Sequence, residues 1–143
     1  MAILRLTLSN RRSEIPRVKF ALAEFLDEEG VPPTSIHRVK LVIEELVVNV
    51  IQHAFEDGTT HTILLDVRTE PRGVAIVVED DGKPFDPRSV PPPKLDELLE
   101  AGKSGGLGVT IVRKMTRDLD YQRIDEKNRV RAFVEFGPKP GSN

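Results

Sequence analysis

The chain has 143 residues, the size of one ordinary domain. Apolar residues make up 38% and charged residues 31%, with 21 basic against 23 acidic for a formal net of -2. That balance gives no general reason to expect direct contact with nucleic acid or with an anionic membrane. There is no apolar run of about 18 residues and no basic-then-apolar leader with a small-residue cleavage site. The absence of cysteine excludes disulfides, thiolate metal sites and a cysteine nucleophile. With no Trp and a single Tyr, a base-stacking platform is also disfavoured. The expectation is a cytoplasmic globular domain.

Residues 3–8 alternate, with Leu4, Leu6 and Leu8 on one side, and predict a half-buried strand. Ser9 or Asn10 is placed to cap the first helix. Over residues 14–28 Ile15, Val18, Ala21, Leu22, Phe25 and Leu26 recur at steps of three and four, an amphipathic helix closed by Gly30 and Pro32-Pro33. Thr34 and Ser35 are expected to cap a second helix that runs to about Phe55. Strands over 61–69 and 73–78, joined by the turn Glu70-Pro71-Arg72-Gly73, read as a hairpin. A stretch rich in Gly, Pro and charge occupies 80–106, too long for an idle connection, with a short helix expected over 94–101. Helical spacing resumes at Leu107 and continues through Ile111, Met115 and Leu119. Strands over 120–125 and 129–136 close a single domain of residues 1–137, and residues 138–143 form a tail expected to fray. This order predicts an α+β fold, a two-layer sandwich whose mostly antiparallel sheet has helices on one face. Neither a strand-GxGxxG-helix unit nor a GxxxxGK[ST] loop is present, which argues against Rossmann and P-loop enzymes.

Three segments depart from ordinary structural patterning. The second helix, VKLVIEELVVNVIQHAF, is apolar nearly all round, yet Glu45, Asn49 and Gln52 form a polar stripe along it. The stripe reads either as a solvated face or as a base beside a metal ligand. In the second reading Asn49 offers a carbonyl oxygen to a hard cation and Glu45 accepts a proton. Glu44 turns about 100° away and reads as a surface charge. The segment VVEDDGKPFDP runs a strand into Asp80-Asp81-Gly82, either a plain turn or a carboxylate placed to accept from an exocyclic amine, with Gly82 admitting the ring. The segment GKSGGLGVTIVRKM sets Gly105, Gly106 and Gly108 at a helix start, an ordinary loop or an anion cradle with Lys103 as a point charge.

In this order the three segments resemble the nucleotide-binding boxes of the GHKL ATPase superfamily. Glu45 to Asn49 is similar to the E-x-x-x-N of the N box, Asp80-Asp81-Gly82 to the D-x-G of the first glycine box, and Gly105-Gly106-Leu107-Gly108 to the second. More narrowly, EELVVNVIQHAF, DDGKPFDP and GGLGVTIVRKMTRDLDYQR resemble the RsbW and SpoIIAB type of anti-sigma-factor serine/threonine kinase. The resemblance implies a Bergerat-type ATP-binding fold, with ATP and Mg2+ as ligands. It implies that Asn49 coordinates Mg2+, that Glu45 is the general base, and that Asp80 binds the adenine amino group with Gly82 beside it. Lys103, Gly105, Gly106, Leu107 and Gly108 would line the phosphates, and residues 86–104 would act as a lid. His53 matches a histidine common after the N box and reads as structural. Lys103 stands where the best-known members carry arginine, and supplies charge without the bidentate fork. The implied partners are a sigma factor, a STAS-domain anti-sigma-factor antagonist that receives the phosphoryl group, and a second copy of the chain in a homodimer. Two other functions fit the same boxes: a nucleotide-binding module that holds a partner without kinase activity, and a stand-alone histidine-kinase-like ATPase domain.

Overall fold

The computed structural model describes residues 2–56, 58–89 and 112–137. Seven elements carry the fold: β1 (Ile3–Ser9), α1 (Ile15–Glu28), α2 (Pro33–His53), β2 (Thr62–Glu70), β3 (Gly73–Asp80), β4 (Arg117–Ile124) and β5 (Lys127–Glu135). The strands form one antiparallel sheet in the order β1-β2-β3-β5-β4. Period-two alternation sends Ile63, Leu65 and Val67 of β2 inward, with Val74, Ile76 and Val78 of β3 and Val130, Ala132 and Val134 of β5. Against this face pack Val18, Leu22 and Leu26 of α1 and the stripe Val39, Val42, Ile43, Leu46, Val47 and Val50 of α2. Each such side chain contributes about 1.5–3 kcal/mol when fully buried. The opposite face is open, and Ile3 and Leu64 stand exposed on it. The α+β two-layer sandwich is therefore as the patterning predicts.

Boundaries differ where backbone geometry overrides side-chain pattern. Pro33 occupies the first turn of α2, Pro32 precedes it with no side-chain cap, and Ser35 lies fully buried inside the helix instead of capping it. Proline's fixed φ starts the helix without a capping hydroxyl. The same helix ends at His53, two residues short of Phe55. Neither Ser9 nor Asn10 caps α1. Instead Glu14 folds back, its Oε1 accepting from Ser9 N at 2.9 Å and Ser9 Oγ at 3.2 Å. The Arg17 side chain and that Ser9 N–H hold the Glu14 carboxyl at about 2. Asn10 Oδ1 accepts from His61 N at 2.8 Å and so fixes the entry to β2.

At the other end, residues 112–115 are helical, but Leu119 belongs to β4. Asp118 has φ 57, and the β4–β5 register shifts between Arg117 and Asp120. The helix ends at Met115 and β4 begins at Arg117, so Leu119 keeps the helical period in sequence only, and the left-handed Asp118 then bulges the strand already begun. Asp125 and Glu126, at φ 51 and 64, make the two-residue turn into β5. The expected short helix over 94–101, the residues 107–111 of the late helix and the tail over 138–143 lie outside the described residues. No described helix is long and apolar enough to cross a membrane.

Candidate nucleotide site

Helix α2 places Glu45 and Asn49 one turn apart, so both project from the same side. They differ in surroundings. Asn49 is 3% exposed, and its Nδ2 is sealed from solvent with no hydrogen-bond partner among the described residues. A buried amide left unpaired costs about 1–3 kcal/mol, so a position of this kind is suited to a ligand. Glu45 is half-buried and has no hydrogen bond or ion pair among the described residues. Burial, followed by the charge of Glu44, pushes its carboxyl above the usual range, while Arg12 opposes the shift. A carboxylate raised in this way is a better proton acceptor near neutral pH. Glu44 turns aside, as expected, and pairs with Lys19 of α1 at 2.8 Å. Gln52, the third member of the polar stripe, is exposed.

Asp80 is the last residue of β3 and is 3% exposed. Its Oδ2 accepts from Gly82 N at 2.9 Å and from Asn128 Nδ2 at 3.0 Å. Its Oδ1 has no partner among the described residues. Burial raises the Asp80 carboxyl and the two donors pull it down, with burial the larger effect. Gly82 does more than leave room for a ring. A Cβ there would stand 2.3 Å from the Ala54 carbonyl oxygen and 2.7 Å from its Cβ. Only glycine lets the chain pass so close to the end of α2, where Lys83 N donates to Ala54 O at 2.9 Å. The turn after β3 is thereby fastened to the helix that carries Asn49. His53, one turn beyond Asn49, stacks on Phe85 with ring centroids 4.7 Å apart. This gives His53 the structural role expected of it.

Asn128 of β5 was missed by sequence reasoning. It pairs with Asp80 across the β3–β5 ladder and is 1% exposed. Nothing local marks it, because Glu126-Lys127-Asn128 reads as a polar turn and its partners are remote in sequence. Lys103, Gly105, Gly106, Leu107 and Gly108 lie outside the described residues. Of the expected lid, residues 86–89 are described, and there Asp86 grips Arg88 at 2.8 Å. That pairing, ahead of burial, lowers the Asp86 carboxyl. Among the described residues no group of three or more His, Cys, Asp or Glu is arranged to hold a metal. A cation at Asn49 would therefore take one oxygen there and the rest from phosphate and water, the usual habit of Mg2+. The Asn49 side-chain oxygen fits that ion, whereas its unpaired Nδ2–H suits an acceptor on a ligand and not a cation. A hollow of about 810 Å³ lies on the open sheet face and includes none of these residues.

An antiparallel sheet covered on one face by helices, with an E-x-x-x-N helix fastened to the strand end that carries a buried aspartate, is the architecture of a nucleotide-binding ATPase domain. The family model described as histidine kinase-like ATPase domain matches residues 8–134, and the chain belongs to that family. It is 32% identical over 99 residues to the protein named serine/threonine-protein kinase BtrW of Bordetella bronchiseptica, covering 69% of this chain and 70% of that one. Among solved structures it resembles that of the RsbU and RsbW domains of a Mycobacterium tuberculosis protein, with TM-score 0.67 and 15% identity over 95% of this chain. The match spans 32% of that longer chain. It also resembles a chain of the SiaB-SiaC complex from Pseudomonas aeruginosa, with TM-score 0.62 and 20% identity, covering 92% of this chain and 89% of the other. These two likenesses show the shared fold.

Proposed function

We propose that the chain is a protein serine/threonine kinase that uses ATP and acts as an anti-sigma regulatory factor in the cytoplasm. The observation that carries this reading is the geometry of α2, which sets the buried Asn49 amide one helical turn from a half-buried, raised Glu45 whose carboxyl makes no hydrogen bond or ion pair with a described residue. The name carried by the Bordetella relative supports the kinase class.

Asn49 would hold Mg2+ through its side-chain oxygen, and the ion when bound neutralises phosphate charge. Asp80 Oδ1 accepts from the adenine amino group, and Gly82 keeps the turn close enough for the base to reach it. Lys103, Gly105, Gly106, Leu107 and Gly108 are assigned to the phosphates. Glu45 takes the proton of a serine or threonine hydroxyl as that oxygen bonds to the γ-phosphorus. The bond from phosphorus to the bridging oxygen breaks and ADP leaves with the electron pair. Positioning and electrostatics supply most of the barrier lowering in such transfers.

The RsbW-type motifs favour a STAS-domain antagonist as the phosphoryl acceptor and a sigma factor as the protein held inactive. They also favour a homodimer. The open sheet face, whose hollow is lined by intramolecular arginine–carboxylate pairs around Ala75, Val77 and Phe133, is the surface left free for one.

Thermal unfolding with and without nucleotide tests the reading. ATP with Mg2+ at a hundred times its dissociation constant is expected to stabilise the fold by about 2.7 kcal/mol, with a smaller gain when Mg2+ is withheld. No shift at millimolar nucleotide would contradict it.

A further inference from the structure

Asn128 does more than pair with its neighbour across the sheet. Its Nδ2 donates to Asp80 Oδ2 at 3.0 Å and to the Lys83 carbonyl at 2.8 Å. Its Oδ1 accepts from Phe85 N at 3.2 Å, Tyr121 OH at 2.6 Å and Arg123 NH1 at 3.2 Å. Arg123 NH1 also donates to the Gly82 carbonyl at 2.7 Å. Both donors of the amide are engaged and its oxygen is shared three ways, which saturates the group. Gly82, Lys83 and Phe85, all in the turn after Asp80, are tied directly or through Arg123 to this one buried side chain.

The consequence falls on Asp80. Two donors converge on Oδ2, from Gly82 N and from Asn128; a half turn of the carboxylate only exchanges its two equivalent oxygens, and any partial turn breaks both bonds. Oδ1 is left as a fixed acceptor that no described residue engages. We infer that Asn128 is a positioning residue that sets the purine specificity of the site, holding Asp80 so that it accepts from a 6-amino group and opposes a 6-carbonyl. The inference rests on the reading of Asp80 as the base-binding group. A site built around a hydrogen bond rejects an analogue that leaves its buried group unpaired far more strongly than an apolar pocket rejects an altered shape. That discrimination requires the acceptor to stay in place. A carboxylate freed from Asn128 can turn to accept from the N1–H of a 6-oxo purine, and the preference relaxes.

The test is the ratio of ADP to GDP affinity, by calorimetry with Mg2+ on the full chain. Asn128→Asp keeps an acceptor for Phe85, Tyr121 and Arg123 but sets an oxygen in place of the donor to Asp80. It is expected to lower the wild-type preference for ADP by about tenfold or more, as loss of a hydrogen bond to a charged group implies. Tyr121→Phe removes one hydroxyl at a half-buried position and is expected to lower it by about threefold. If Asn128→Asp does not fold, Tyr121→Phe decides alone. A purely structural role would weaken both nucleotides alike and leave the ratio unchanged, and that result overturns the inference while wild-type preference for ADP stands. A wild-type chain with no preference for ADP would instead remove the reading of Asp80 on which it rests.

Discussion

Replacing Glu45 by glutamine is expected to cut phosphoryl transfer by about 10²- to 10⁴-fold, the usual contribution of a positioned general base. Nucleotide affinity should stay near wild type, because the side chain is assigned to the acceptor hydroxyl and not to the purine. The pH profile carries the second half of the expectation. Glu45 has to be ionised to accept a proton, and burial together with Glu44 raises its carboxyl. Activity should therefore fall, as pH is lowered, at a higher pH than the ordinary glutamate value of about 4.3. Glu44→Gln removes the neighbouring charge, and the acid limb should move to lower pH. Single-turnover kinetics across pH measures both effects, since they isolate the chemical step from binding.

Asp80→Asn should separate binding from stability. The substitution replaces the acceptor Oδ1 with a group that can donate, and ATP affinity is expected to drop about 10- to 100-fold. Stability should move the other way. Burial raises the Asp80 carboxyl in the folded chain above its unfolded value. The associated stability is fully present below the unfolded value, about 3.9, and is lost as pH rises through the folded one. At neutral pH the ionised group is thus a cost to the unliganded fold. Asparagine keeps an acceptor for Gly82 N and Asn128 Nδ2 without the charge. The unliganded variant should melt at or above the wild-type temperature at pH 7 and show little response to ATP. Melting below wild type, or a full response to ATP, would contradict the assignment.

The features legible in the sequence are those encoded locally. The alternation in β2 and the three-four spacing of α1 arise from burial of one face, and both elements form where the pattern places them. The pair Glu45 and Asn49 was legible because one helical turn fixes their proximity. Asp80 was legible because a strand runs directly into it. The start of β4 was not, since Leu119 continues a helical period in sequence although the helix ends at Met115 and the strand begins at Arg117. Pro33 hid the start of α2 behind two residues with better capping chemistry. Asn128 was out of reach for a different reason. Its meaning depends on the register that sets it against Asp80, and no spacing rule spans that separation. The close approach of Gly82 to Ala54 is likewise a tertiary fact, visible only once the turn is seated on the helix.

The most direct measurement is transfer from γ-labelled ATP to a cognate STAS-domain protein, comparing the wild-type chain with Asn49→Ala. Acid-stable label on a serine or threonine of the acceptor is expected with the wild type and is expected to be nearly absent with the variant. Label that persists undiminished in Asn49→Ala, acid-labile label on histidine, or no label at all would contradict a serine/threonine kinase built on Asn49.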